Sequence, residues 1–330
     1  MFEDDRVENP PMVSNLDGPP IIAAEVEYAL KKMKSGKAPG LDNISTEMLK
    51  AVEFIFRETS KYHGLNIGGR KLKTIRYADD TVLLTEHAED LQLLAEAVNK
   101  HSNDAGLEMN VKKTKTMVIT KFPPKVTSIK IKGESIEQVS SFKYLGQEVN
   151  DSNNQDDELK KRINLAKLKF VEMKSIFKSK EIKLKNKLRF ANCYIYSILL
   201  YGADTWTLPQ SKLKKIEAFE MWIYRRLAKI SWKDKKTHQE VCEHLGSRRE
   251  LVNTIKTRKI KYFGHASFLK DVLEGKIEGS RPRERQRRRW IDDITEWTGK
   301  NIHQCTVEAH DRAKWKSVSS QPLEQGRHRE

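Results

Sequence analysis

Residues 72–85 read LKTIRYADDTVLLT, and the reading of this stretch decides the fold. Two apolar runs, 72–77 and 81–85, meet at Ala78-Asp79-Asp80, a strand–turn–strand pattern that predicts a β-hairpin. Successive strand residues point to opposite faces, but at a hairpin tip two neighbouring carboxylates can both project outward. Two like charges beside buried strands repel each other and are costly to desolvate unless a cation is shared. Mg²⁺ meets both needs, because it takes a few carboxylates together with waters and substrate phosphates. Two such ions about 4 Å apart support in-line phosphoryl displacement. The plainer alternative is a polar turn, since Asp suits turns for local hydrogen-bonding reasons.

Outward from the hairpin, both flanks mix helix and strand. Upstream, Ile22, Val26, Ala29, Leu30 and Met33 fall at helical spacing before Gly36, and Met48, Leu49, Val52, Ile55 and Phe56 give Thr46–Glu58 one apolar face. Downstream, 86–103 has helical periodicity, and short strands are expected at 107–111, 116–120, 128–132, 135–139 and in FKYLGQEV at 142–149. This alternation predicts an α+β layer. After the polar run SNNQDDE at 152–158 the pattern is almost wholly helical, over 159–177, 184–200, 213–230, 237–245 and 251–268, with short helices near Trp290 and Ala313. The expected organisation is a disordered lead at 1–20, an α+β region at 21–150, a helical domain at 157–270 and a basic C-terminal tail at 271–330.

Composition bounds the function. The 330 residues are 38% hydrophobic and 33% charged, and no window approaches the roughly 18 unbroken apolar residues a membrane span needs. An acidic, proline-bearing N-terminal segment and three scattered cysteines predict an intracellular protein of the nucleus and/or cytoplasm. Residues 1–110 carry 13 Lys+Arg against 19 Asp+Glu, a net of −6, so the remainder of the +16 chain carries +22. All six tryptophans lie in that basic part. Such an excess is what phosphate backbones attract, through release of condensed counterions, and nucleic acid is the expected partner rather than a membrane.

YADD between apolar strands resembles the catalytic signature of reverse transcriptases, and the order of motifs around it resembles the polymerase of non-LTR, LINE-like retrotransposons. ALKKMKSGKAPGLDNISTEMLK at 29–50 is similar to the family's fingers motif, GLEMNVKKTKTMVI at 106–119 to the palm motif after the catalytic hairpin, and FKYLGQEV to the primer grip. LLYGADTWTL, IEAFEMWIYRRLAKISWKD, RKIKYFGHASFL and RRRWIDDITEWTG resemble the helical thumb and tail of such elements. The resemblance implies a partial right-hand polymerase palm and fingers followed by a mainly α-helical thumb and C-terminal region, working with Mg²⁺ on an RNA template and a DNA primer. It implies Asp79 and Asp80 as metal ligands and Lys113 beside the departing pyrophosphate. It further implies Tyr144, Leu145 and Gly146 at the primer terminus, and Lys34 and Lys37 near template or nucleotide.

One part of the family pattern is missing. The resemblance calls for a third carboxylate from an earlier palm strand, yet the 26 residues between Lys50 and Tyr77 contain no aspartate, only Glu53 and Glu58. An internal deletion is expected, leaving the hairpin short of a neighbouring strand and the chain inactive by itself; no endonuclease segment is recognised either. The alternative is a non-catalytic RNA- or DNA-binding protein derived from such an element. Arg281, Arg283, Arg285, Arg287, Arg288 and Arg289 in RPRERQRRR form a self-repelling run that suits a phosphate backbone or a nuclear-import signal. Trp206, Trp222, Trp232 and Trp290 are candidates for base stacking, with burial expected for the first three. Cys242, His244 and His238, and His303, Cys305 and His310, lack the paired spacing of a structural zinc site and are not expected to bind metal.

Overall fold

The structure is a computed structural model and describes residues 28, 29, 31–34, 36, 46–67, 69–120, 126–152, 155–265 and 288–320. It divides into two compact units, residues 1–61 with 100–108, and residues 62–99 with 109–330.

In the first unit the helix α1 (Thr46–Glu58) spans the segment its apolar spacing predicts and continues into a 3₁₀ turn, Thr59–Lys61. Ile55 is buried, while Leu49 and Phe54 of the same helix are exposed. Phe54 meets His101 edge-on, with ring centroids 6.0 Å apart. The Thr59 hydroxyl donates to the Phe56 carbonyl at 2.8 Å, closing the helix end.

The second unit begins with short β-structure. β1 (Leu65–Ile67) pairs antiparallel with β2 (Arg70–Leu72), and β3 (Thr74–Tyr77) with β4 (Asp80–Leu83). After helix α2 (Ala88–Asp104) come β5 (Lys115–Thr116), β6 (Lys130–Ile131), β7 (Glu134–Ser135) and β8 (Glu137–Gln138), then β9 (Ser141–Tyr144) and β10 (Gln147–Asn150). Among the described residues every sheet is two-stranded: β5 joins β8 in parallel, β6 joins β7, and β9 joins β10.

Four strand expectations are corrected. No strand forms at 107–111, because the Asn110 carbonyl accepts from Thr114 N–H at 2.9 Å and its side chain accepts from Lys113 N–H at 3.0 Å, turning the chain. The strands expected at 116–120, 128–132 and 135–139 shrink to two residues each, with the tight turn Lys132–Gly133, both at positive φ, folding β6 onto β7. Apolar packing persists without a broad sheet, since Ile129, Ile131 and Ile136 bury against Ala95 of α2, with Leu83 of β4 beside them.

The rest is helical: α3 (Asp156–Glu172), α4 (Lys174–Lys178), α5 (Leu184–Phe190), α6 (Ser197–Leu200), α7 (Gln210–Leu227), α8 (His238–Leu245) and α9 (Leu251–His265). The single helix expected at 184–200 is interrupted by a π-helical stretch, Ala191–Tyr196. Leu213, Ile216, Phe219, Ile223 and Leu227 repeat every three or four residues along α7 and bury into the main core. Glu220 sits in that core, and its carboxylate accepts the backbone N–H groups of Glu250 and Leu251 at 3.0 Å, capping α9.

Residues 290–320, part of the expected C-terminal tail, carry three short helices that pack against α9. α10 (Trp290–Thr298), α11 (Ile302–Ala309) and α12 (Arg312–Ser320) form a second core with α9, in which the Trp315 indole donates to the Ile260 carbonyl at 2.8 Å.

Candidate active site and nucleic-acid contacts

The carboxylate hairpin is built as its sequence dictates. Tyr77 pairs with Asp80, leaving Ala78 and Asp79 as a two-residue loop in which only Ala78 has positive φ, at 51°. A positive φ at the first loop position is a conformation that ordinarily favours glycine. Asp79 and Asp80 are both exposed, and so are Ile75 and Tyr77, at 44% and 65%. The buried flanks anticipated from LKTIRYADDTVLLT are therefore a correction: among the described residues β3 pairs only with β4, and its side chains are largely exposed.

Lys113 lies in the Asn110 turn with an exposed side chain, its backbone fixed by Asn110. Lys34 is exposed, and Lys37 falls outside the described residues. Cys305 is buried against the Thr298 hydroxyl, and Cys193 is exposed.

The turn Tyr144-Leu145-Gly146 is held from several sides. Leu145 and Gly146 both have positive φ, 45° and 78°, which is a type I′ hairpin loop. The Tyr201 hydroxyl donates to the Leu145 carbonyl at 2.7 Å, and Arg162 donates to the Gly146 carbonyl at 2.5 Å. The Arg162 guanidinium also lies over the Tyr201 ring, 4.5 Å from its centroid, and pairs with the buried Glu158 at 2.6 Å. Glu158 in turn accepts the Glu148 N–H at 3.0 Å. Gly202, with φ 67°, lets Gln147 approach so closely that a Cβ there would fall 1.5 Å from the amide nitrogen. Tyr201, Gly202, Arg162 and Glu158 were missed in the sequence; YGADTW reads as a helical motif until the fold brings it against YLGQ.

Tyr144 connects the two hairpins electrostatically. Burial, and secondly the Asp80 carboxylate, push its phenol above the ordinary tyrosine value. Its buried hydroxyl makes no hydrogen bond among the described residues.

Of the arginine run, Arg288 and Arg289 are described and are engaged within the protein. Arg288 donates to Asp293 at 2.6 Å and pairs with Glu296, and Arg289 pairs with Asp292 at 2.8 Å at the start of α10. Asp293 is fully buried and also receives the Leu208 N–H at 2.8 Å and the Lys259 ammonium. Lys259 lies 4.6 Å from the Trp290 ring centroid, and burial lowers its pKa to about 8 against the opposing pull of Asp293. Arg281, Arg283, Arg285 and Arg287 lie outside the described residues.

Residues 39–149 match the family Reverse transcriptase (RNA-dependent DNA polymerase). The matched third of the chain ends on β10 and contains the carboxylate hairpin, Lys113 and the Tyr144 turn. The chain is also similar to an uncharacterized transposon-derived protein of Caenorhabditis elegans, 24% identical over 238 residues that cover 71% of this chain and 79% of that one. No solved structure matches. A reverse-transcriptase domain works on nucleic acid, and the family generally uses divalent metal ions. Asp79 and Asp80 offer two exposed carboxylates, and no cluster of three or more His, Cys, Asp or Glu side chains that could hold a metal forms among the described residues. That donor set does not complete a two-metal centre. None of the helices among the described residues is long and apolar enough to cross a membrane.

Proposed function

We propose that this chain is a reverse-transcriptase fragment of a non-LTR, LINE-like retrotransposon, internally deleted and unable to extend a primer by itself. Residues 21–150 would be its incomplete fingers and palm and 157–270 its thumb, acting in the nucleus and/or cytoplasm. The observation that carries the reading is the YADD hairpin inside the matched 39–149 segment, combined with the absence of any aspartate in residues 51–76. The self-paired β3–β4 hairpin supports it, because a palm aspartate has to arrive on a neighbouring strand. Loss of a central metal ligand typically costs orders of magnitude in rate.

A second reading, that the chain binds RNA or DNA without polymerising, is favoured by the +22 balance of residues 111–330. Primer extension on a homopolymer template with Mg²⁺ or Mn²⁺ tests the first. The expected result is no incorporation above an Asp79→Asn control, and incorporation that the control abolishes would overturn it. Salt-dependent retention of labelled oligonucleotides by the same preparation tests the second.

A further inference from the structure

Of the four tryptophans that could stack bases, three are already committed. Trp206 is buried, Trp222 carries the Arg226 guanidinium 3.7 Å from its ring centroid, and the Trp290 indole donates to the Asp204 carbonyl at 2.8 Å. Trp232 is different: it is 81% exposed, which corrects the expectation that helical spacing would bury it.

The exposed ring sits on a braced turn. Trp232–Asp234 is a single 3₁₀ turn capped at both ends of a box, with the Asp234 carboxylate accepting the Ser231 N–H at 2.6 Å and the Ser231 hydroxyl accepting the Lys233 N–H at 3.3 Å. Arg225 reaches across from α7 to the Lys236 carbonyl at 2.7 Å, and the Thr237–Glu240 capping box starts α8 immediately beyond. A large apolar ring held out by a fixed backbone has little entropy left to lose on contact.

The surroundings are cationic. Lys229, Lys233, Lys235 and Lys236 are exposed, and the two acids of the stretch, Asp234 and Glu240, are occupied in capping backbone N–H groups. The chain carries another basic segment, 178–189, in which Lys178, Lys180, Lys183, Lys185 and Arg189 are exposed against one acid, Glu181. Within it Lys187 is buried and donates to the Ser179 carbonyl at 2.6 Å, and burial, with the Lys229 charge second, pushes its ammonium below the usual lysine value. Like charges gathered along one exposed turn are an unfavourable arrangement for an isolated protein and a favourable one beside a polyanion.

We propose that the Trp232 turn is a stacking platform for an unpaired base of single-stranded nucleic acid, with Lys229, Lys233, Lys235 and Lys236 on the flanking phosphates. The inference rests on the nucleic-acid-binding reading above and narrows it to one surface. An exposed π-face flanked by lysines fits a single strand, whose bases are free to stack, better than a duplex, whose bases already are.

The test uses the full chain with a labelled dT15 oligonucleotide, followed by fluorescence anisotropy at several salt concentrations. Trp232→Ala is expected to weaken binding roughly 5–150-fold without changing the salt slope, and Trp232→Phe to retain most of the affinity. The triple variant Lys233→Gln, Lys235→Gln, Lys236→Gln is expected to flatten the slope by about 2. An abasic oligonucleotide of equal length should bind wild type more weakly than dT15, a comparison that needs no variant to fold. Equal binding of dT15 and the abasic strand by wild type, or unchanged affinity in a Trp232→Ala protein with wild-type melting, would overturn this inference alone. A wild-type chain that binds neither strand at any salt would overturn the nucleic-acid reading with it.

Discussion

The β3–β4 and β9–β10 hairpins have the same construction and opposite support. Each is a two-stranded antiparallel pair of four-residue strands with a two-residue loop, and each places a non-glycine residue at positive φ, Ala78 in one and Leu145 in the other. Around Leu145 the helical region supplies Tyr201, Arg162 and Gly202, and Glu158 behind them. Around Ala78 the side chains of Ile75, Tyr77, Asp79 and Asp80 stay exposed. A two-stranded hairpin is marginal by itself, so its persistence depends on what it packs against. The Tyr144–Gly146 turn is framed by helical residues, and beside the carboxylate turn Leu83 packs on a small core.

Breaking the support of the Tyr144–Gly146 turn should have the largest effect. Arg162→Ala leaves the Glu158 carboxylate buried without its partner and frees the Gly146 carbonyl, so a loss of about 3–5 kcal/mol is expected in denaturant titration, with faster hydrogen exchange at the Glu148 amide. Gly202→Ala forces a side chain into the left-handed region and displaces Gln147, an expected loss of about 1–2 kcal/mol in the same titration. Ala78→Gly probes the other hairpin. Relief of left-handed strain and the added backbone entropy of glycine nearly offset, and the denaturant midpoint should rise by an amount equivalent to about 0.5 kcal/mol. Asp80→Asn should barely alter stability, because Asp80 is exposed, but it removes a negative charge that raises the Tyr144 phenol. NMR titration of Tyr144 should therefore show its pKa moving down; an unchanged or higher value would mean that the two hairpins do not face each other electrostatically.

The sequence was most legible where one residue type does one local job. Thr46–Glu58, the loop between Tyr77 and Asp80 and the start of α8 follow from apolar spacing and paired turn residues. Strand lengths were not legible: 116–120 and 135–139 have strand composition, yet a strand extends only as far as a partner accompanies it, and here the partners run for two residues. The tryptophans were misread for a related reason, since spacing alone could not separate buried Trp206 from exposed Trp232.

The sequence by itself determined the YADD hairpin, the basic character of residues 111–330 and the lack of an aspartate in residues 51–76, because each is a matter of which residues stand next to which. Only the tertiary structure decided that Tyr201 and Arg162 hold a turn 56 and 16 residues away, and that Arg288 is neutralised by buried Asp293. Those pairings join groups remote in the chain, and burial lends them their strength: a charge or carbonyl removed from water must find its partner wherever the fold has placed one.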